Sequence, residues 1–522
     1  MSTRTERAST VLDWPEEERA ITGELVAQVR RFAAREVDSA GIDRDSRIPP
    51  SVIESAAKLG LFGMAIPSAF GGAELGMRSV CAVIEELARH DRSVAIMVGL
   101  HSGLGTRAII EFASDALKAK LLPAMASGEC IGAFAATEPR AGSDLMNVQC
   151  VARRDGDSML VDGDKSYVTN GGFAGVFTVL ARTPELGGAK AHSLVCVDRS
   201  SPGVIVGVEE HKLGIRGSST VGVQFDHARV ERERVLGPGG RGMNEAHRAL
   251  AWGRTVMASG CVGTGQAALD ATIEFARART QFGRPIASFG ATQAHLARMA
   301  ATLFAMRALV RTVGAREDRG APIEVESMHA KVFCSEGAFD LCDTAVQLHG
   351  ALGFIEPVGV ARLLRDCRIT RIFEGANDVL LVRAGLATLS GHHRPSIQNA
   401  RNSSDVSLLS AAVECERFGA ELDATIARMR KAHGVRVVSH QLVLQRVARG
   451  AIAHAAAVAA VEEALSDGGA LSSALACEAV GHCVRSGRAA LASVDRADEE
   501  EAMARALLAV MDEHNEGQRQ WQ

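Results

Sequence analysis

Four short stretches of the chain carry residue types that could hold or transform a small molecule. Phe134–Asp144 reads FAATEPRAGSD. Its small residues Ala141, Gly142 and Ser143 let backbone approach a flat ligand closely. The hydroxyls of Thr137 and Ser143 can donate hydrogen bonds. An ordinary turn entering a strand would have the same composition. Lys165–Gly172 reads KSYVTNGG and sets Tyr167, the single tyrosine, beside Val168 and Thr169. It too fits a plain strand and turn. Arg279, in RTQFG with Phe282, ends a long helical pattern, where a guanidinium can clamp a phosphate or simply be solvated. The fourth stretch is QLHGALGFIEP, from Gln347, followed by RIFEGANDVL, from Arg371. Gly350 and Gly353 offer close backbone approach. Glu374 lies between Phe373 and Gly375 in an apolar run entering a helix. Desolvation raises the pKa of such a carboxyl, which suits a base working near neutral pH. A helix-terminal Glu facing the dipole is the plainer use of the same residue.

The elements that must position these stretches follow from periodicity. Residues 1–130 read as a helical domain, with apolar residues at helical spacing in LVAQVRRFAAREV, SVIESAAKLGLFGM and VCAVIEELARH. Residues 131–240 hold short β-type runs about ten residues apart, the pattern of an antiparallel sandwich or barrel. Helical periodicity returns over 241–392. A polar linker is expected at 393–405, and a further Ala-rich helical domain over 406–522. The fold class is therefore α+β and mainly α. With no βαβ alternation a Rossmann fold is excluded, and with no GxxxxGK[ST] loop a P-loop enzyme is too.

Composition narrows the classes further. The 522 residues are 47% hydrophobic and 23% charged, as in ordinary globular chains. A net charge of −4 leaves no basic excess for nucleic acid. The 11 cysteines include no CxxC and no zinc-type spacing, so no metal site is expected, and the thiols should stay reduced in a cytoplasm. The start of the chain lacks the apolar core of a secretory leader. No run of 18 or more apolar residues suggests a membrane span. Arg430–Gly450 is basic and partly amphipathic, and a solvated helix face accounts for it better than a membrane contact.

Taken together, LGLFGMAIPSAFGGAELG, LLPAMASGE, TEPRAGSD, VTNGG, KLGIRGSST, RTQFG, FGATQAHLARM and GFIEPVGVARLLRDCRITRIFEGAND occur in one order. In that order, over about residues 50–395, the chain resembles the acyl-CoA dehydrogenases, their very-long-chain type in particular. The resemblance implies an N-terminal helical domain, a middle β-domain, a four-helix bundle and an additional C-terminal helical domain. It implies FAD as cofactor and α,β-dehydrogenation of an acyl thioester to the trans-2-enoyl thioester. Glu374 would take the α proton while flavin N5 takes the β hydride. The Glu374 backbone N–H and a flavin hydroxyl would stabilise the enolate.

By the same resemblance the flavin lies against Phe134, Ala136, Thr137, Gly142, Ser143, Tyr167, Val168 and Thr169. Ala376, Asn377 and Asp378 complete its site. Phe282 also contacts the cofactor, and Arg279, Gln347, Leu348, Gly350 and Ala351 reach the cofactor of a neighbouring subunit, so a homodimer is implied. Ser143, Arg254, Glu374 and Gly375 would contact the substrate. In a few relatives the base stands on another helix, at the position of Gly253 here. Three positions depart from the family: Tyr167 stands for a Trp, Ala376 for a Thr and Ala351 for a Gly, and each weakens the hold on flavin. An electron-transferring flavoprotein is the implied electron acceptor. The extra domain would cover the face on which shorter relatives form tetramers. Three alternatives keep the fold and change the role: a carrier-protein-bound acyl substrate, oxygen as acceptor, or a non-catalytic assembly factor.

Overall fold

Apolar stripes and side-chain caps build the first helices of the computed structural model, which describes residues 14–392, 395–397 and 403–519. These are α1 (Glu16–Glu36), α2 (Ser39–Asp45), α3 (Pro50–Lys58), α4 (Met77–His90), α5 (Arg92–Leu100), α6 (Arg107–Phe112) and α7 (Asp115–Ser127). Asp38, Asp91 and Ser114 each accept a hydrogen bond from a first-turn N–H, satisfying one orphan donor per helix. A π turn over His101–Gly105 carries α5 toward α6. By length and composition alone the stretch Arg92–Phe112 could cross a membrane, which the sequence reading did not single out; here most of it is buried in the core.

The β block comprises β1 (Ile131–Ala135), β2 (Val151–Asp155), β3 (Ser158–Thr169), β4 (Ala174–Arg182), a short α8 (Pro184–Gly187), β5 (His192–Asp198), β6 (Val204–Glu209) and β7 (Thr220–Glu231). They form one seven-stranded sheet in the order β1-β4-β2-β3-β7-β6, with β5 also on β4. The sheet is mixed rather than antiparallel, because β1 runs parallel to β4, from Ile131 opposite Ala174 to Ala135 opposite Val179. Turn spacing reports only hairpins between consecutive strands; β1 and β4 are brought side by side by a crossover that contains the β2–β3 hairpin. Phe177 and Phe225 meet edge to face at 6.3 Å in the core of this block.

The next elements are α9 (Gly242–Ala278), the two-residue strands β8 (Thr280–Gln281) and β9 (Arg284–Pro285), α10 (Gly290–Glu317), α11 (Glu324–His349), α12 (Ala351–Phe354) and α13 (Val360–Arg368). Glycines in α9 let neighbours approach: a Cβ on Gly263 would stand 2.0 Å from the Glu85 carbonyl of α4. The KLGIRGSST loop seats on α13 in the same way, with Ile215 N–H donating to the Asp366 carboxyl.

Among the described residues, those up to 376 form one compact unit and those from 377 onward a second. The second holds α14 (Asn377–Leu389), α15 (Val406–His433), α16 (Gln441–Asp467), α17 (Ala470–Ala492) and α18 (Ala497–Arg519). The expected domain boundary at 392 lies beyond this division, and α14, which falls within the expected 241–392 bundle, packs on α16. A Cβ on Gly385 would stand 2.2 Å from the Leu444 carbonyl, and Gln445 donates to the Asp378 carbonyl at 3.1 Å. Periodicity marks an apolar face without saying which neighbour covers it. The Ala-rich middle of α16, Ala451 to Ala460, is buried throughout. The leader reading on residues 1–13 and most of the linker reading at 393–405 lie outside the described residues.

Candidate active site

Glu374 and Gly375 sit where the chain leaves α13, and both adopt left-handed backbone, with φ of 55° and 101°. A left-handed glutamate is strained by roughly 1–2 kcal/mol, so something must hold it. Two buried cations do. Arg254 of α9 donates from Nε to the Glu374 carbonyl at 2.9 Å, and Lys331 of α11 donates from Nζ to the Gly375 carbonyl at 2.8 Å. Lys331 is fully enclosed, and burial pushes its ammonium pKa down to about 7.

The carboxyl of Glu374 faces an apolar groove. Part of the residue reaches the surface, but Oε2 is enclosed and meets no hydrogen-bond donor among the described residues. A Cβ built on Gly253 would stand 3.0 Å from Oε2, so the missing side chain at 253 is the space the carboxyl occupies. Burial pushes the Glu374 pKa up to about 7, against the opposing charges of Arg254, Lys331 and Arg92. Ile84, Ala95, Ile96, Gly99, Leu100, Val256, Met257 and Phe373 line the groove. An ionisable group tuned to neutrality against an apolar slot can abstract a weakly acidic C–H proton.

A second group of residues gathers at one end of the sheet. Ser166 N–H donates to the Thr137 carbonyl at 2.9 Å, joining the β1 loop to β3. The loop itself is built on Glu138, which accepts from Gln149 and Cys150 N–H and pairs with Lys165 at 2.8 Å. Lys165 also donates to the Ala136 and Leu180 carbonyls, at 3.0 and 2.7 Å. On this frame Ala136 and Val168 are buried, Phe134, Thr137 and Thr169 are half-buried, and Gly142 and Ser143 are exposed. Tyr167 adopts φ 56° at a register shift of β3 against β7, which leaves its side chain 66% exposed.

A third group lies where α9 and α11 end. Phe275 stacks on His349 at 4.3 Å, drawing the α9 terminus with Arg279 toward Gln347, Leu348, Gly350 and Ala351. Phe282 is 94% exposed beyond it, and Arg279, Gln347 and Ala351 are exposed as well. Ala376 closes the first unit. Asn377, buried, and Asp378, exposed, open α14 in the second.

Models of the acyl-CoA dehydrogenase N-terminal, middle and C-terminal domains match residues 17–129, 133–228 and 240–385. An acyl-CoA dehydrogenase of Bacillus subtilis is 35% identical over 353 residues, 67% of this chain and 93% of that protein. The chain belongs to the acyl-CoA dehydrogenase family. The very long-chain specific acyl-CoA dehydrogenase of Bos taurus is 38% identical over 365 residues, 68% of this chain and 56% of that protein, so the chain spans little more than half the length of that relative. Among solved structures, butyryl-CoA dehydrogenase from Megasphaera elsdenii superimposes with TM-score 0.69 at 31% identity, covering 71% of this chain and 98% of its own. An acyl-CoA dehydrogenase from Bacillus anthracis, complexed with FAD, gives TM-score 0.80 at 24% identity and covers 96% of this chain and 92% of its own. That fold likeness reaches the C-terminal helices, whereas the family models stop at residue 385, inside α14.

Sequence reasoning missed several parts of this site. Lys331 stands in an apolar helical run, where a lone lysine was a visible but unread signal. Arg92 was passed over in the same way. Glu138 and Lys165 belong to quoted motifs, yet their pairing across 27 positions shows only in the fold. Two trios, His433 with His440 and Asp498, and Asp162 with Asp226 and His227, bring possible metal-ligating atoms within 4.8 Å of one another.

Proposed function

We propose that the chain is an FAD-dependent dehydrogenase of acyl thioesters, with Glu374 as the base that removes the α proton. The observation that carries this reading is the enclosed, unpaired Oε2 of Glu374 at an apolar groove, with its pKa near 7. FAD fits the residues present. The sheet-end group offers an exposed aromatic face at Tyr167, hydroxyls at Thr137, Ser143 and Thr169, and open space over Gly142, where a Cβ would meet only Thr137 Cγ2 at 4.0 Å. When bound, FAD supplies the acceptor for the hydride that leaves the β carbon.

The chain's own residues do the rest. The groove aligns the acyl chain and excludes water. Arg254 and Lys331 fix the carbonyls of Glu374 and Gly375, so the backbone that presents the base is held. The Glu374 N–H donates to the thioester carbonyl as negative charge develops; a donor of this kind is typically worth about 3–4 kcal/mol in a dry site. The product is the trans-2-enoyl thioester, and the protonated Glu374 releases its proton at neutral pH. Arg279, Phe282 and Gln347–Ala351 serve the FAD of a second copy in a homodimer, and an electron-transferring flavoprotein takes the electrons. A carrier-protein substrate with oxygen as acceptor is the second reading, favoured by one solved structure, a prolyl acyl carrier protein oxidase with TM-score 0.68 at 25% identity.

Anaerobic mixing of the purified yellow protein with acyl-CoA thioesters tests the first reading: the flavin band should bleach. No bleaching with any acyl-CoA, and bleaching with carrier-bound acyl groups plus peroxide formation in air, would replace it with the second.

A further inference from the structure

The groove that receives the acyl chain ends on a charge. Four of its lining residues, Arg92, Ala95, Ile96 and Gly99, share one face of α5 at helical spacing, and Gly253, Val256 and Met257 supply the facing side of α9. The two helices run antiparallel: Gly103 lies against Gly253, Gly99 against Val256, and Arg92 against Met257, Gly260 and Cys261. Glu374 stands at the Gly253 end. The Arg92 guanidinium lies against Gly260 and therefore stands at the opposite end, roughly 10 Å along α9 from Gly253 at 1.5 Å per residue.

Arg92 is 3% exposed. Its Nη2 donates to the Met257 carbonyl at 3.2 Å and lies 3.7 Å from Cys261 Sγ. Its Nε–H, also buried, has no acceptor, and no carboxylate pairs with the guanidinium among the described residues. Of the nearby acids, Asp91 caps α5 through Val94 N–H, Asp366 accepts from Ile215 N–H, and Glu374 acts on Arg92 only through space, from the other end of the groove. Burial raises the pKa of the Cys261 thiol, and the hydrogen bond shared with Cys342, with burial, raises that of Cys367, so neither supplies a counter-charge. A buried cation without a partner is costly, and an apolar chain end would leave it so. A carboxylate would satisfy it with a charge-assisted, forked hydrogen bond.

We propose that Arg92 reads the far end of the substrate, and that the preferred acyl group carries a terminal carboxylate. This rests on the acyl-thioester reading above and names the substrate class within it. Carbon–carbon bonds of about 1.5 Å in an extended zigzag place that carboxylate about six to eight carbons beyond the α carbon. The substrate would then be the monothioester of a medium-length dicarboxylic acid, unlike the very long chains in the names of the Bos taurus protein and its kin.

The test compares CoA monothioesters of dicarboxylic acids with plain acyl-CoAs of the same carbon number, on the FAD-loaded protein. Two readouts are taken: anaerobic bleaching rate against concentration, and calorimetric Kd for the corresponding enoyl products. Dicarboxylic thioesters are expected to give at least tenfold higher kcat/KM and at least tenfold lower Kd. In Arg92→Met that preference should invert, while Arg92→Lys keeps a reduced form of it. Equal or better performance of the plain chains in the native protein overturns the proposal, whether or not Arg92→Met folds. So does an unchanged ratio in a folded Arg92→Met. Bleaching by plain chains alone would sink this proposal and leave the acyl-thioester reading standing; no bleaching by either class would sink that reading itself.

Discussion

Glu374 carries opposing demands that a single substitution can separate. Its carboxyl is pushed up to about 7 by burial, so it is protonated at pH 5–6 and ionised above neutrality. Only the ionised form accepts a proton, so kcat/KM should rise about tenfold per pH unit below the midpoint and level off above it. Stopped-flow bleaching across pH 5–9 reads this directly, and a profile falling with rising pH would contradict it. Lys331 faces the same carboxyl and favours its charged form. Lys331→Met should therefore move the midpoint upward, and a midpoint that stays or falls would show that Lys331 acts only through the Gly375 carbonyl. Glu374→Gln keeps the shape and removes the basicity, at a cost of about 10²–10⁴ in turnover. The 3.0 Å between a Cβ at position 253 and Oε2 makes a sharper test. Gly253→Glu combined with Glu374→Gly puts a carboxyl back into the same space from the other helix, and it should recover part of the lost turnover. No recovery in a folded double variant would mean that the left-handed loop matters as much as the carboxyl it presents.

At the level of elements, the sheet-end loop depends on one buried ion pair. Removing Lys165 leaves Glu138 charged and enclosed with only its two backbone donors. Lys165→Met should destabilise the protein by about 3–5 kcal/mol and lower FAD occupancy. Glu138→Gln added to it should restore part of the stability, since the uncompensated charge is gone. Urea unfolding of the two variants decides this, and additive losses would refute the pairing argument. The loop was legible in the sequence because small residues and hydroxyls cluster there; the pair that builds it was not, because its members are distant in the chain. The same limit applies elsewhere. The helical and β blocks could be read from periodicity, and Glu374 from its apolar neighbours. The parallel β1–β4 pairing, the groove between α5 and α9, and the grip of Arg254 and Lys331 on consecutive carbonyls depend on which surfaces meet. No local pattern encodes that. Arg92 looks like one more charged residue after Asp91 until α9 closes over it.

For the whole molecule, the two ends of the chain's chemistry make different demands on assembly. Phe282 and Phe354 are 94% and 84% exposed, and Ile355 is 48% exposed, around the group that holds Arg279. Such side chains want cover, and a second copy that also receives Arg279 would give it. Light scattering of the full chain should show a dimer. Phe354→Glu should weaken it and lower FAD occupancy together, whereas Arg279→Ala should lower occupancy and leave the mass unchanged. The C-terminal helices bear on this through α14. Family-matched sequence runs to residue 385, inside that helix, yet the buried residues Leu380, Leu381 and Ala384 belong to a helix that packs on α16. A chain cut after Ser404 keeps α14 and loses α15 to α18. The apolar face of α14 is then bare, and at roughly 25 cal/mol per Å² even a few such side chains amount to several kcal/mol of lost burial. That chain should aggregate or associate beyond the dimer, with α14 frayed in hydrogen exchange. Gly385→Ala tests the same contact without truncation: its Cβ would stand 2.2 Å from the Leu444 carbonyl, so α14 and α16 must separate, at a cost of about 1–3 kcal/mol. If the cut chain were a stable dimer with α14 fully protected, and Gly385→Ala melted like the native protein, α14 would owe its place to something other than α16, and the division at residue 376 would be wrong.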